Sequence, residues 1–396
     1  MKALLLENIS GVAQKNLERA GFQVESYGGA LNEAQLRDKL RDVTVLGIRS
    51  KTNVTRAALE AAPALLAVGA FCIGVDQIDR PACSQRGVAV FNDPHSNSRS
   101  VAELALGEII MLLRRIFAAN AELHGGTWNK TAAGCHEVRG LTLGIVGYGR
   151  IGSQLSDMAE ALGMRVIFSD VTDVLARGNA RRVTFDELLE QADVVTLHVD
   201  GKPRNRNLFG AQELRQMKEG ACFINLSRGF VVDHEALASA LRSGKLAGAA
   251  VDVFPQEPAA KGTFATPLQG LPNVILTPHI GGSTEEAQAN IGQFVSSRLV
   301  EYLQSGSTSL SVNLPHCQLE QSSESHRLTH IHQNVPGMLL AVNSALARRG
   351  MNIERQVLDT RGEVGYAIYD VDQAVDDALL DELGRIPHTI RVRRAR

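Results

Sequence analysis

The first hundred residues alternate short apolar runs with longer stretches of mixed polarity. Ala3–Leu6, Gln23–Ser26, Val43–Ile48, Leu65–Ala70 and Val88–Phe91 are brief and rich in Val, Ile, Leu and Ala. Such runs predict strands of a sheet covered on both faces. The helical patterns between them predict a doubly wound α/β unit. Ser96–Glu103 then opens a long helix. Ser100 and Glu103 have capping-box spacing, and Leu104, Leu106, Ile109, Ile110, Leu112 and Leu113 carry the apolar face on to about Ala119.

A second unit begins with a strand at Leu141–Val146. Further strands are expected at Arg165–Ser169, Val194–His198, Cys222–Asn225, Ala247–Val251 and Val274–Leu276. Thr184 with Glu187 predicts one capped helix and Asp233 another. Ser283–Glu286 starts a long helix that returns the chain to the first unit. Over residues 304–324 the composition turns to Ser, Gln and Asn, which reads as a linker. The remainder predicts strand Arg327–Ile331, helix Val335–Arg349, strands Asn352–Leu358 and Gly365–Asp370, helix Ala374–Leu383 and strand Thr389–Val392. That βαββαβ order is ferredoxin-like, in a module of a size to pair with a copy of itself.

Composition narrows the picture. The chain has 396 residues, 43 acids against 41 bases and a net charge of −2, a poor balance for nucleic-acid binding. The apolar run at the start, Ala3–Leu6, ends at Glu7 and is too short for a signal-peptide core, and no later run approaches a membrane span. The five cysteines are scattered and read as reduced thiols in a cytoplasmic protein. Neither they nor the histidines show metal-ligand spacing, so no metal is expected.

The first chemical signal is Gly147-Tyr-Gly149-Arg150-Ile151-Gly152, which follows an expected strand and opens an expected helix. In that context the spacing predicts a dinucleotide site. Gly147 permits the tight turn, Gly149 lets backbone approach a pyrophosphate, and Gly152 lets the helix pack on the strand. The helix N-terminus offers N–H groups to the phosphates. Asp170 ends the second strand. A carboxylate there accepts from ribose hydroxyls and repels a 2′-phosphate, so NAD rather than NADP is expected.

Three later pieces follow successive strands: Asn225-Leu226-Ser227-Arg228-Gly229, Asp252-Val-Phe-Pro-Gln-Glu257-Pro258 and Pro278-His279-Ile-Gly281-Gly282-Ser-Thr284. All lie beyond strand carboxyl ends, where open α/β sheets bind ligands. Oxidising an alcohol by hydride transfer needs a base for the hydroxyl proton and a cation that holds a carboxylate and polarises the carbonyl. His279 and Arg228 fit those tasks. Glu257 can bond the far nitrogen of His279, fix its tautomer and raise its pKa. Taken singly, they also read as a core histidine, a surface ion pair and a loop acid. In this strand order, each flanked by Gly or Pro, they read as a catalytic set.

These motifs, with Phe71-Cys-Ile-Gly74, Ser96–Glu103 and Trp128-Asn-Lys130, resemble the D-isomer-specific 2-hydroxyacid dehydrogenases over essentially the whole chain. More narrowly, the chain resembles the bacterial branch that acts on 3-phospho-D-glycerate and carries a C-terminal ACT domain. The resemblance implies NAD-dependent oxidation to 3-phosphooxypyruvate, the first step of L-serine synthesis, by a homotetramer. It implies a flavodoxin-like substrate domain (1–96 and 283–310), a Rossmann-type NAD domain with a doubly wound parallel sheet (97–282), a linker (311–324) and an ACT domain (325–396). His279 becomes the acid/base, Glu257 its partner and Arg228 the substrate anchor. Arg150 and Ile151 line the pyrophosphate, and Asp170 meets the adenosine ribose. Leu226, Ser227 and Arg228 border the nicotinamide, Asp252 meets its carboxamide, and Gly281 and Gly282 pass close to the ring.

The substrate's carboxylate and phosphate require several cations. By resemblance these are Arg49 and Lys51, in the Arg49-Ser50-Lys51 loop, and Lys130, with Gly74 and Asn97 in matching loops. From the residues alone, Arg49 and Lys51 also read as a solvated loop. Lys51 stands where relatives can carry Arg. It keeps the charge without the bidentate fork, which leaves room for 2-oxoglutarate, reduced to 2-hydroxyglutarate. In the tail, His330-Ile-His332-Gln-Asn334-Val-Pro336-Gly337 reads on bare residues as a helix start capped by Asn334. By resemblance, His332, Asn334 and Asn352 instead hold L-serine as a feedback inhibitor, although Val335 stands where some relatives have Arg. Asp200 replaces a Pro common in the family. Two other readings stay open: another D-2-hydroxyacid dehydrogenase, and a non-catalytic NAD-sensing regulator on the same scaffold.

Overall fold

A computed structural model describes residues 1–258, 262–320 and 325–395. The chain forms two compact units. One holds Met1–Pro94 and the chain from Gln288 onward, and the other holds His95–Ala287.

In the first unit, β1 (Lys2–Leu5), β2 (Gln23–Ser26), β3 (Val45–Ile48), β4 (Ala67–Ala70) and β5 (Ala89–Asn92) form a parallel sheet in the order β2-β1-β3-β4-β5. The helices between them start where the sequence supplies caps. The side chains of Asn32, Thr55 and Asp79 each accept an N–H of the first turn. Gly69 on β4 admits the last long helix closely, because a Cβ there would lie 2.8 Å from Val295 and Leu299.

In the second unit, β6 (Thr142–Val146), β7 (Arg165–Ser169), β8 (Arg181–Arg182), β9 (Val194–Leu197), β10 (Ala221–Asn225), β11 (Leu246–Val251) and β12 (Val274–Leu276) form a second parallel sheet. Its order is β12-β11-β10-β9-β6-β7-β8. The order reverses between β6 and β9, the crevice where doubly wound sheets bind dinucleotides. The Thr184–Glu187 capping box forms, and Asp233 caps its helix. Two expectations fail here. The long helix ends at Leu113, Arg115 takes φ +53°, and a second helix runs Ile116–His124. The Ser100–Glu103 capping box does not form, because the helix begins at Ser98. Ser100 Oγ instead bonds Thr284 Oγ1 (2.9 Å), and Glu103 accepts from Arg99 (2.6 Å).

The C-terminal strands β13 (His326–Gln333), β14 (Ile353–Arg361), β15 (Val364–Val371) and β16 (Thr389–Arg394) form an antiparallel sheet ordered β14-β15-β13-β16. Helices Met338–Arg348 and Asp377–Gly384 cover one face. The other face joins the first unit's core: Ile331, Val364, Tyr366 and Ile368 pack in one cluster with Phe91, Leu299 and Tyr302. Arg327 makes a buried bidentate pair with Asp370 (2.6 and 2.8 Å), which also accepts from Arg355 (2.6 Å). Asn334 does not cap the following helix. Gly337 does so at φ +91°, and Asn334 Nδ2 donates to Gly362 O at 3.1 Å.

Of the stretch expected as a linker, residues 321–324 lie outside the described residues. The preceding part is tied down. Asn313 accepts from Val90 N–H (2.8 Å) and donates to Val88 O (2.9 Å), while Leu314 and Cys317 are buried. Among the described residues, no helix is long and apolar enough to cross a membrane.

Candidate active site

The turn after β6 tests the three glycines separately. Gly147 takes φ +92°, and a Cβ there would lie 2.6 Å from His198 O. A Cβ on Gly152 would lie 2.4 Å from Gly147 O. A Cβ on Gly149 would meet nothing within 4 Å. The protein's own packing therefore requires the outer two glycines, and the middle one faces open space. Helix Arg150–Ala161 lacks a side-chain cap, so its first N–H groups remain for an anion. Arg150 is exposed and Ile151 half-buried on its first turn.

Asp170 follows β7. Its Oδ2 accepts from Tyr148 N–H (2.7 Å), and its Oδ1 accepts from the N–H (2.8 Å) and hydroxyl (2.7 Å) of Thr172. Burial raises its pKa, but the bonds from Thr172 and Tyr148 outweigh burial and hold the carboxyl below its ordinary value. The Tyr148 ring stacks on Phe168 at 3.8 Å, and its hydroxyl donates to Ser156 (2.9 Å). This anchors the turn beside the carboxylate. An open glycine at an uncapped helix N-terminus, with an ionised carboxylate after the next strand, fits an NAD pyrophosphate and ribose.

The second cluster follows β10, β11 and β12. Asn225 Oδ1 accepts from the N–H (3.0 Å) and hydroxyl (2.8 Å) of Ser227, and Asn225 Nδ2 donates to Arg228 O (3.1 Å). These bonds fix the Leu226–Arg228 turn. Gly229 has no room for a side chain, since a Cβ would fall 1.9 Å from Phe254 C. Asp252 is 1% exposed. Its Oδ1 accepts from Thr277 Oγ1 (2.6 Å) and Ile280 N–H (2.8 Å), and its Oδ2 accepts from Gly281 N–H (2.8 Å). Asp252 thus organises the loop that carries His279. That loop is strained: His279 takes φ +56°, an uncommon conformation for a non-glycine residue. Its N–H donates to Asp252 O at 2.8 Å.

His279 Nδ1 lies 2.8 Å from Glu257 Oε2, and Glu257 Oε1 accepts from Phe254 N–H at 3.0 Å. The bond from Glu257 raises the His279 pKa, against burial and the positive charge of Arg228. Burial pushes Glu257 upward, but the bonds from His279 and Phe254 bring it below its ordinary value. With Nδ1 engaged, Nε2 is the nitrogen left to exchange a proton with a ligand, on a ring that is half exposed. Arg228 Nη1 donates to Ser227 O (2.8 Å), and a Cβ on Gly201 would lie 3.4 Å from Arg228 Nε.

The structure brings together most of the second unit's expected residues. A Cβ on Gly281 would meet Asp252 Oδ2 (3.1 Å) and Leu226 (3.7 Å), and one on Gly282 would meet Asn97 Nδ2 at 2.3 Å. Lys130 lies on exposed coil. In the first unit, Arg49, Ser50 and Lys51 follow β3. Glu7 accepts from the N–H groups of Lys51 (3.0 Å) and Thr52 (2.8 Å). Gln77 Nε2 donates to Arg49 O (2.5 Å) and Gly74 O (3.3 Å), joining the two loops. In the tail, His332 is 3% exposed, its Nδ1 lies 2.7 Å from Gln333 O, and its Nε2 is buried without a partner. The Asn352 N–H donates to Asp372 Oδ1 (2.8 Å).

Sequence reasoning missed Asn225, Thr277, Glu7 and Gln77 as supporting residues, and also Glu108, which is buried on helix Ser98–Leu113 within the field of Asp252. Asn225 and Thr277 sit inside or beside the motifs, which is a usable signal. Glu7, Gln77 and Glu108 carry none. Asp200 gains a structural account: it accepts from Asn205 Nδ2 (2.7 Å) and pairs with Lys202 (3.0 Å), closing the turn after β9.

Residues 106–281 match the family described as D-isomer specific 2-hydroxyacid dehydrogenase, NAD binding domain. Residues 328–391 match an AHAS small subunit-like ACT domain. The chain is 49% identical over 396 residues to D-3-phosphoglycerate dehydrogenase of Haemophilus influenzae, covering 99% of this chain and 97% of that protein. It is 48% identical over 398 residues to the protein of the same name from Escherichia coli K12, with the same coverage. A solved structure of D-2-hydroxyisocaproate dehydrogenase aligns with a TM-score of 0.71 at 28% identity, over 79% of this chain and 100% of that one.

Proposed function

The chain belongs to the D-isomer-specific 2-hydroxyacid dehydrogenases, and from that premise we propose that it oxidises 3-phospho-D-glycerate at C2 to 3-phosphooxypyruvate with NAD. The observation that carries this reading is the His279–Glu257 bond of 2.8 Å, within the field of Arg228. Gly147, Gly149, Arg150, Ile151 and Gly152 hold the pyrophosphate, Asp170 the ribose, and Leu226, Ser227, Asp252, Gly281 and Gly282 the nicotinamide end. Bound NAD supplies the hydride acceptor. His279 Nε2 takes the hydroxyl proton while Nδ1–H donates to Glu257, which stabilises the imidazolium. Arg228 holds the substrate carboxylate and polarises the carbonyl that forms. Arg49, Lys51 and Lys130 supply positive charge for the phosphate, with Ser50, Gly74 and Asn97 in support. Lys51 leaves room for reduction of 2-oxoglutarate as a side activity.

The full-length relatives share the name of one enzyme, which supports the first step of L-serine synthesis as the pathway position. L-Serine at His332, Asn334 and Asn352 acts as the feedback effector, in a cytoplasmic homotetramer. The ACT-like match over 328–391 supports a regulatory tail.

NAD reduction with 3-phospho-D-glycerate, followed against pH, tests the reading. Oxidation needs neutral His279, so kcat/KM is expected to rise as pH passes upward through the raised His279 pKa. Glu257→Gln removes the largest cause of that raised pKa and should move the midpoint to lower pH, with a rate loss of roughly 10- to 100-fold. A midpoint that does not move would contradict the assignment of the pair.

A further inference from the structure

The catalytic chemistry uses none of the arginines gathered where β16 meets the first unit's core. Arg391 and Arg393 sit two apart on β16, opposite Ile331 and Thr329 of β13. Ile331 belongs to the core shared with the first sheet, so both arginines face that sheet. A Cβ on Gly87 would lie 2.9 Å from Arg391 Cβ. The neighbouring residue, Arg86, ends helix Arg80–Gln85. Arg391 donates to Leu65 O. Arg393 donates to Leu303 O (3.0 Å) and Tyr302 O, and its guanidinium lies 4.4 Å over the Tyr302 ring. Burial lowers the Arg391 pKa, and the charges of Arg86 and Arg393 lower it further.

Among the described residues, no carboxylate pairs with Arg86, Arg391 or Arg393; the nearby ion pairs belong to Arg327, Arg355 and Arg394. Three donors here lack partners: the buried Nε–H of Arg86, that of Arg393, and the hydroxyl of Tyr302. Tyr302 is 0% exposed. Clustered like charges and unsatisfied buried donors both cost free energy. All three arginines keep partial exposure.

We propose that Arg86, Arg391 and Arg393, with Tyr302, form a binding site for a small oxyanion of the phosphate or carboxylate class. Guanidinium forks match the oxygen geometry of either group, and the Tyr302 hydroxyl adds a neutral donor. An anion here ties β16 to the chain entering β5. It therefore couples the C-terminal sheet to the first sheet through charge as well as through the shared apolar core.

Thermal unfolding of the full chain tests this with inorganic phosphate and, separately, with acetate at matched ionic strength. Wild type is compared with Arg86→Gln and Tyr302→Phe. Phosphate should raise the wild-type Tm, and the rise should shrink by about half or more in Arg86→Gln. The unliganded Tm of that variant should equal or exceed wild type, because an unpaired half-buried charge is gone. Phosphate bound at the catalytic cations contributes equally to all three proteins and cancels in the comparison. If Arg86→Gln does not fold, Tyr302→Phe carries the test with the same expectation. A rise with phosphate alone assigns a phosphate-class ligand, and a rise with acetate as well admits carboxylates. An equal rise in wild type and both variants, or no rise with either anion, overturns the proposal.

Discussion

His279 occupies a backbone conformation that few histidines adopt, and neighbouring residues hold it there. Asp252 receives three bonds from the loop that bears the histidine, so its first duty is to the protein rather than to a ligand. One further residue bears on that carboxylate. Glu108, on helix Ser98–Leu113, is 2% exposed, and neither carboxyl oxygen has a partner. Burial, with the charge of Asp252 adding to it, pushes its pKa from 4.5 to about 8. Glu108 is therefore protonated at neutral pH and spares Asp252 a like charge. The sign follows from linkage: a raised carboxyl pKa leaves stability intact below about 4.5 and removes it as pH climbs toward 8. Glu108→Gln, neutral at every pH, should match wild type in Tm near pH 5 and exceed it by on the order of 5 °C near pH 8. A constant difference across that range would show that Glu108 does not titrate in the folded chain.

At the scale of elements, the turn after β6 separates folding from binding within six residues. Gly149→Ala places its methyl in open space, so the ligand-free Tm should stay within about 2 °C of wild type while NAD affinity falls about tenfold or more. Gly152→Ala drives a methyl against Gly147 O and should lower the ligand-free Tm by about 5 °C or more. Calorimetric titration with NAD beside thermal unfolding distinguishes the two.

Most strands were legible because a strand buried on both faces must be apolar at consecutive positions; β8 was not, because Arg181–Arg182 is an exposed two-residue edge strand with no apolar run. The helix break at Arg115 was not, because Ile116 and Phe117 continue the apolar run across it. The Ser100–Glu103 signal misled because the helix begins two residues earlier, at Ser98, which leaves Ser100 to a tertiary partner, Thr284, and Glu103 to Arg99 one turn back on the same helix. Asn334 failed as a cap for a similar reason, its amide going to Gly362 O. In the site, the residues that a ligand would touch were legible from chemistry and strand order. Their supports were not: Glu108 occupies an ordinary polar position in its helix, and only burial sets it apart.

At the scale of the whole molecule, the C-terminal sheet is part of the first unit's core. Ile331, Val364, Tyr366 and Ile368 share one apolar cluster with Phe91, Leu299 and Tyr302. A chain truncated at residue 320 would expose that surface to water. It should melt about 10 °C or more below the full chain, or precipitate. An unchanged Tm would mean that the contact contributes little.

The central claim concerns substrate, and NADH consumption by the intact protein tests it most directly, with 3-phosphooxypyruvate measured against 2-oxoglutarate and glyoxylate. The account predicts that kcat/KM is highest for the phosphorylated keto acid, by about 100-fold or more, since a phosphate meeting several cations contributes about 3 kcal/mol. Equal or greater efficiency with an unphosphorylated acid would contradict the roles given to Arg49, Lys51 and Lys130. NADH binding without turnover of any keto acid would contradict the enzyme itself.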